Sequence, residues 1–321
     1  LPATVSIARC ATYDRGRLTE SLAAALAPLG GMSSIVRSGQ QVLLKPNLLC
    51  PAGAEEAVTT HPEFVGAVAL AVRKAGGTPI VADSPAFGTL GQVAEKCGLR
   101  AVCDELALPL MPLRRSVVET VETARGVRRY RLSREVVEAD IVLNLPKLKA
   151  HRQVGLSAGI KNCYGCVPGK RKVVGHLKGG PVDMNFARMI VEHYRLVSPE
   201  LTLIDGILAM EEKGPRLGRP RQLGLLFAGV DAAAIDTIVC ELLQAPRDYR
   251  MLVDAARELG VGETDPGAIE VVGVSPPDVS VSDWQWPPLI GTQFGLPRVV
   301  KSWAKNLWLT RFGFAKVRPV G

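Results

Sequence analysis

Three short apolar runs in this chain stop at residues that can hold charge or move protons. Lys45-Pro-Asn47 follows Val42-Leu-Leu, Asp83-Ser84-Pro85 follows Ile80-Val-Ala, and Asn144-Leu-Pro-Lys147-Leu-Lys149-Ala-His151 follows Ile141-Val-Leu. In an open α/β sheet the carboxyl ends of the strands line the crevice in which ligands bind. Lys45, Lys147 and Lys149 are therefore expected towards one rim, with Asn47, Ser84 and His151 as hydrogen-bonding groups. Three neighbouring ammonium groups repel one another, a cost that makes sense when an anion sits between them. The bland alternative is that each lysine points to water and Asp83 only pairs with one of them. For any single residue that alternative is favoured slightly; for the set together a site is favoured.

Other motifs are weaker. Gly155-Leu-Ser157-Ala-Gly159 matches the G-x-S-x-G nucleophile elbow, but only His176 and His193 follow Ser157. A hydrolase triad of that type needs an acid and then a histidine later in the chain, so the match is read as chance. Cys163 and Cys166 form the one C-x-x-C pair, which is a redox dithiol, half of a metal site with His151 and His176 as further ligands, or plain packing. His176 sits in Gly175-His-Leu-Lys178-Gly-Gly after the basic run Lys170-Arg-Lys172, where glycines let a backbone approach an anion closely. A solvated loop would read the same way. Asp205 ends an apolar run, and Asp231 is read as the N-cap of a helix starting at Ala232.

The elements that must position these residues are βαβ units around a mostly parallel sheet flanked by helices. Strands are expected at Thr4–Ala8, Gln41–Lys45, Pro79–Asp83, Ile141–Leu145, Leu201–Asp205, Leu223–Phe227 and Ile269–Val272. Helices are expected at Arg17–Ala27, Pro62–Lys74, Leu90–Cys97, Met184–Leu196, Ala232–Leu243 and Tyr249–Leu259. The alternation in Ser116-Val-Val-Glu-Thr-Val-Glu and Arg128-Arg-Tyr-Arg-Leu predicts a small antiparallel hairpin inserted at about 100–134. The α/β domain is expected to span 1–274, with a basic, Trp-rich tail over 275–321.

The chain has 321 residues, 47% hydrophobic and 22% charged, which excludes disorder and allows a large core. No apolar stretch approaches the roughly 18 residues of a membrane-spanning helix. Seven cysteines, odd in number and mostly scattered, suit a reducing cytoplasm better than a disulfide scaffold. The net charge of +8 is concentrated at the end, because Arg298, Lys301, Lys305, Arg311, Lys316 and Arg318 have no acid near them. These six leave only +2 for the rest, so specific nucleic-acid binding by the body is not expected. All four tryptophans lie in the tail, and Val299, Val300, Trp303 and Leu307 recur at helical spacing among basic residues. That pattern predicts either a surface-seeking helix making peripheral membrane contact or a closing helix over the domain. Leu1 in place of Met leaves room for an upstream or targeting segment.

The ordered motifs resemble a known family. Lys45-Pro-Asn47-Leu, Thr59-Thr-His-Pro62, Asp83-Ser-Pro85, Asn144 to His151, Gly159-Ile-Lys161-Asn162-Cys-Tyr-Gly-Cys-Val-Pro-Gly169, His176-Leu-Lys-Gly-Gly, Leu203-Ile-Asp205-Gly-Ile, Gly214-Pro-Arg-Leu-Gly218 and Asp231 to Asp236 look like the domain-of-unknown-function family 362. The resemblance runs from about Gln41 to Leu243 and departs at Glu211-Glu-Lys-Gly214-Pro, where members often read Glu-Gly before the Gly-Pro. It implies an α/β fold, adds Lys161 and Asn162 to the anion-binding set, and makes a ferredoxin-like iron–sulfur domain or protein a candidate partner.

Three functional readings stand at this point. The first is an enzyme acting on a small anionic carboxylate or phosphate metabolite in a redox context. Lys45, Asn47, Ser84, Lys147, Lys149, Lys161 and Asn162 would hold the anion, and His151, His176, Asp83 and Asp205 would be catalytic or orienting. The second is an electron-transfer accessory in which Cys163 and Cys166 hold an iron–sulfur cluster or a divalent metal. The third is a non-catalytic binding module on a membrane or a protein complex.

Overall fold

A computed structural model describes residues 2–123, 126–169 and 184–290. Its centre is a ten-stranded sheet. The main path runs β12 (Ile269–Gly273), β1 (Ala3–Arg9), β11 (Arg219–Gly229), β10 (Leu201–Glu211), β7 (Ile141–Leu145), β2 (Gln41–Pro46), β3 (Thr78–Asp83) and β4 (Leu110–Pro112). Only β11 runs against its neighbours on this path. The fold is thus a mostly parallel α/β sheet flanked by helices, as the alternating apolar runs imply.

Alternate residues of each strand feed opposite faces, because side chains along a strand point to alternate sides. Val42, Leu44, Leu143 and Leu203 pack with α1 (Arg15–Leu26), α2 (Pro62–Lys74), α3 (Leu90–Cys97) and α4 (Leu99–Glu105). Leu43 and Val142 face the other way, towards α6 (Gly159–Cys163), α7 (Met184–Val197) and α9 (Met251–Leu259). Val5, Ile204 and Phe227 pack against α8 (Ala232–Leu242). Burial on both faces explains why these strands read as continuous apolar runs.

Two segments depart from the expected pattern. The hairpin is real, β5 (Ser116–Thr123) against β6 (Gly126–Ser133), but it is shorter than the expected insertion. Leu99, Val102 and Cys103 fall at helical spacing and are buried, so that stretch folds as α4 instead. The short α5 (Arg134–Val137) follows the hairpin.

The first part of the expected tail lies against the domain. Residues 275–290 pack on the domain, with Trp284 only 4% exposed and Trp286 beside it. Glu212 N–H donates to Gln285 O at 2.8 Å, and Tyr249 OH donates to Pro287 O at 2.7 Å. Large apolar rings stay where they lose water, which overrides the compositional break at Ser275. The basic helix expected over Val299–Leu307 lies outside the described residues, as does His176.

Candidate anion site at the carboxyl edge of the sheet

After β7, Pro146 interrupts the ladder and the chain resumes as β8 (Lys147–His151), which turns back as β9 (Gly155–Ser157). β8 runs parallel to the long β10, with Lys147 opposite Asp205 and Lys149 opposite Met210. The polar run that reads as a strand-end loop is therefore itself a buried strand.

A cavity of about 410 Å³ opens among these elements. Lys45, Asn47, Asp83, Ser84, His151, Lys161 and Asn162 all line it, gathered from β2, β3, β8, α6 and the segments that follow the first two. Lys147, Lys149 and Asp205 are not among its lining residues.

At the cavity floor, Lys45 Nζ lies 2.8 Å from Asp83 Oδ1, with both side chains almost fully buried. The amides of Leu48 and Ser84 donate to the two Asp83 oxygens at 2.7 Å each. Asn162 Nδ2 donates to Lys45 O at 3.0 Å and to Asn144 Oδ1 at 2.9 Å. Asn144 in turn donates to Gly159 O and Thr202 Oγ1. Asp236, outside the cavity, accepts the Gly159 and Ile160 amides at 2.7 and 3.0 Å. These bonds fix α6, and with it Lys161 and Asn162, onto the end of the sheet. Burial pushes the Asp236 carboxyl up to about 7 against the opposing pull of those two amides. Sequence reading placed Asp236 just inside a helix and within a family motif but gave it no role; its position five residues into a buried apolar helix is the signal of a positioning role.

Lys149 Nζ sits behind the cavity and donates to Asn47 Oδ1 at 2.5 Å and Val58 O at 2.8 Å. Asn47 thereby has its carbonyl engaged. Burial, together with the nearby Lys161 charge, lowers the Lys149 ammonium to about 7. Burial alone lowers Lys161 to about 8.

Lys147 belongs to a separate network. Its Nζ bonds Asp205 Oδ2 and Tyr13 OH, each at 2.8 Å. Tyr13 OH donates to Asp205 Oδ1 at 2.7 Å and accepts from Leu208 N at 3.0 Å. The Tyr13 ring stacks on His61 at 3.5 Å between centroids. Burial holds His61 down to about 4, so it is neutral, and its Nδ1 accepts the Glu63 amide at the start of α2. Neither Tyr13 nor His61 was legible as part of this network, because their partners lie 192 and 144 residues away.

Around the cavity, Arg152, Lys161, Lys213 and Arg216 join Lys45, while Asp83 is the one carboxylate among the described lining residues. Lys45 is matched by Asp83, and the other four have no carboxylate partner among the described residues. Arg216 lies 4.6 Å over the Phe87 ring. The wall also holds three buried polar atoms without a hydrogen-bond partner among the described residues, Arg152 Nε, Gln153 Nε2 and Asn162 Oδ1. His151 Nδ1 accepts the Gln153 amide at 3.2 Å, so the neutral ring carries its proton on Nε2.

The G-x-S-x-G glycines have packing reasons. Gly155 has φ +78°, and a Cβ there would lie 2.2 Å from Tyr249 O. A Cβ on Gly159 would meet Ala232 at 2.8 Å. Ser157 itself lines the cavity, a placement that sequence reasoning missed.

Cys163 and Cys166 are fully buried among Ile160, Phe186, Ile190 and Ala232. Burial and the neighbouring Cys166 push the Cys163 thiol well up, which suits a packing cysteine. Among the described residues, no group of three or more His, Cys, Asp or Glu is placed to hold a metal ion. Among the described residues the donor set beside this pair does not complete an iron–sulfur or divalent-metal site; His176, the further ligand expected from sequence, lies outside them.

Comparison with known proteins agrees with the motif order. The family described as a domain of unknown function (DUF362) matches residues 42–241. A thylakoid-associated protein of Synechocystis is 39% identical over 309 residues, 95% of each chain. The chain belongs to the DUF362 family. A solved structure of the lactate racemase apoprotein from Thermoanaerobacterium thermosaccharolyticum is similar with a TM-score of 0.44 and 12% identity. That match covers 73% of this chain and 55% of the other. Among the described residues of this DUF362 member, no helix is long and apolar enough to cross a membrane.

Proposed function

We propose that the cavity is the active site of an enzyme acting on a small anionic metabolite, a carboxylate or a phosphate. The observation that carries this reading is the excess of cations in its wall: Arg152, Lys161, Lys213 and Arg216 stand around a concave space without carboxylate partners among the described residues. Cations gathered in a partly desolvated cleft cost free energy that a bound anion offsets.

Lys161 is the principal anion-binding group, because it lines the cavity with no carboxylate partner among the described residues, and burial lowers its ammonium to about 8. Asn47 and Asn162 add polar contacts, and the Lys45–Asp83 pair forms a rigid floor. His151, with its proton on Nε2, is the general acid or base. Lys147 and Asp205 act in this reading as fold supports. The redox context and a ferredoxin-like partner remain part of the proposal through family resemblance alone, and peripheral membrane attachment agrees with the thylakoid association of the Synechocystis relative.

The test is turnover of a mixed metabolite extract by the full chain, followed by mass spectrometry of anions. Depletion of one anionic compound by the wild type, abolished in Lys161→Met and His151→Gln, is the expected result. An extract whose anions are unchanged over long incubation, with and without added reductant, would overturn the enzymatic reading.

A further inference from the structure

The cavity's lining also bears on the class of its ligand, an inference that rests on the anion-binding reading above. Beside its cations and amides the lining carries a set of apolar side chains. Lys161, Asn162, His151 and Gln153 come from the stretch of β8 through α6. Leu48, Leu49 and Phe87 come from the segments after β2 and β3, and Leu217 and Ile290 from two later ones. The amides of Ala86 and Phe87 donate to Leu49 O at 3.1 and 3.2 Å, so the two apolar segments form one joined wall. Arg216 over the Phe87 ring brings the segment of Leu217 to that wall. Leu217 is 76% exposed, an apolar side chain left in water beside an opening.

Size separates the ligand classes. A space of about 410 Å³ falls within the range of sites that enclose organic molecules, roughly 300–1,000 Å³. A bare phosphate or acetate at Lys161 would leave most of the leucine wall facing water, forfeiting the burial that apolar surface favours.

We infer that the ligand is an amphiphilic anion, with a carboxylate or phosphate head at Lys161 and an apolar body against Leu48, Leu49, Phe87 and Leu217. The cationic end sets orientation and the apolar wall sets affinity. Simple inorganic anions are then weak competitors, while anions with a hydrocarbon or ring body bind tightly.

Calorimetric titration of the full chain with methyl, butyl and octyl phosphate, and with acetate, pentanoate and nonanoate, tests this directly; octanol serves as the neutral control. Affinity is expected to rise roughly fourfold per added methylene until the wall is filled in both anion series, and octanol is expected to bind far more weakly than octyl phosphate. Leu217→Ser, a change at an exposed position, is expected to lower the octyl-to-methyl affinity ratio. Equal affinities along both series, or an unchanged ratio in Leu217→Ser, would overturn the inference while leaving the anion reading in place. Octanol binding as tightly as octyl phosphate, or no binding by any of the anions, would overturn both.

Discussion

Lys45 Nζ and Asp83 Oδ1 meet at 2.8 Å in the cavity floor, one at the end of β2 and the other at the end of the adjacent parallel strand. Removing one partner leaves an uncompensated buried charge. Lys45→Met and Asp83→Asn are each expected to lower unfolding free energy by about 3–5 kcal/mol. Urea titration measures this, and the double variant is expected to lose much less than the sum of the two. Additive losses would mean that the pair is not coupled in solution.

Tyr13 tests the separation of the two networks. Its hydroxyl satisfies Lys147, Asp205 and the Leu208 amide at once. Tyr13→Phe is expected to cost about 1–3 kcal/mol of stability through those unmet groups. Anion affinity is expected to remain unchanged, because Tyr13, Lys147 and Asp205 do not line the cavity. A large loss of affinity at full folding would connect the networks.

The pH dependence has opposite signs for stability and for binding. Folded Lys149 titrates at about 7 and Lys161 at about 8, against an ordinary value of 10.5. The unfolded chain therefore binds more protons than the folded one from about pH 7 to 10.5, and these groups make stability rise with pH in that window. An anion needs the ammonium form, so affinity is expected to fall as pH rises through about 8. Titrations at several pH values check this, and Lys161→Met is expected to flatten the binding profile.

All seven cysteines are buried thiols outside any disulfide. A colorimetric thiol reagent is expected to find almost none reactive in the native protein and seven after denaturation without reductant. Five after denaturation, restored to seven by reductant, would reveal a disulfide and contradict the packing role of Cys163 and Cys166.

Much of the sheet was legible because doubly buried parallel strands concentrate apolar residues. Ile141–Leu145, Pro62–Lys74 and Leu90–Cys97 form as their patterns imply. The convergence of Lys45, Asn47, Asp83 and His151 was legible too, since parallel strands end on one side. The roles of Lys147 and Lys149 were not. Alternation along β8 sends both inwards, and their partners Asp205 and Val58 are 58 and 91 residues away, which no local pattern encodes. Arg152 and Arg216 were missed because they follow no apolar run; they reach the cavity through tertiary packing alone.

Lys161 carries the central claim, and calorimetric titration of wild type and Lys161→Met with octyl phosphate at pH 7 tests it most directly. The expected result is a loss of affinity of about tenfold or more, the scale of one charge-assisted hydrogen bond, at about 1.5–3 kcal/mol, with the thermal unfolding profile of the variant preserved. Equal affinity in the two proteins would contradict the assignment of this cavity as the anion site.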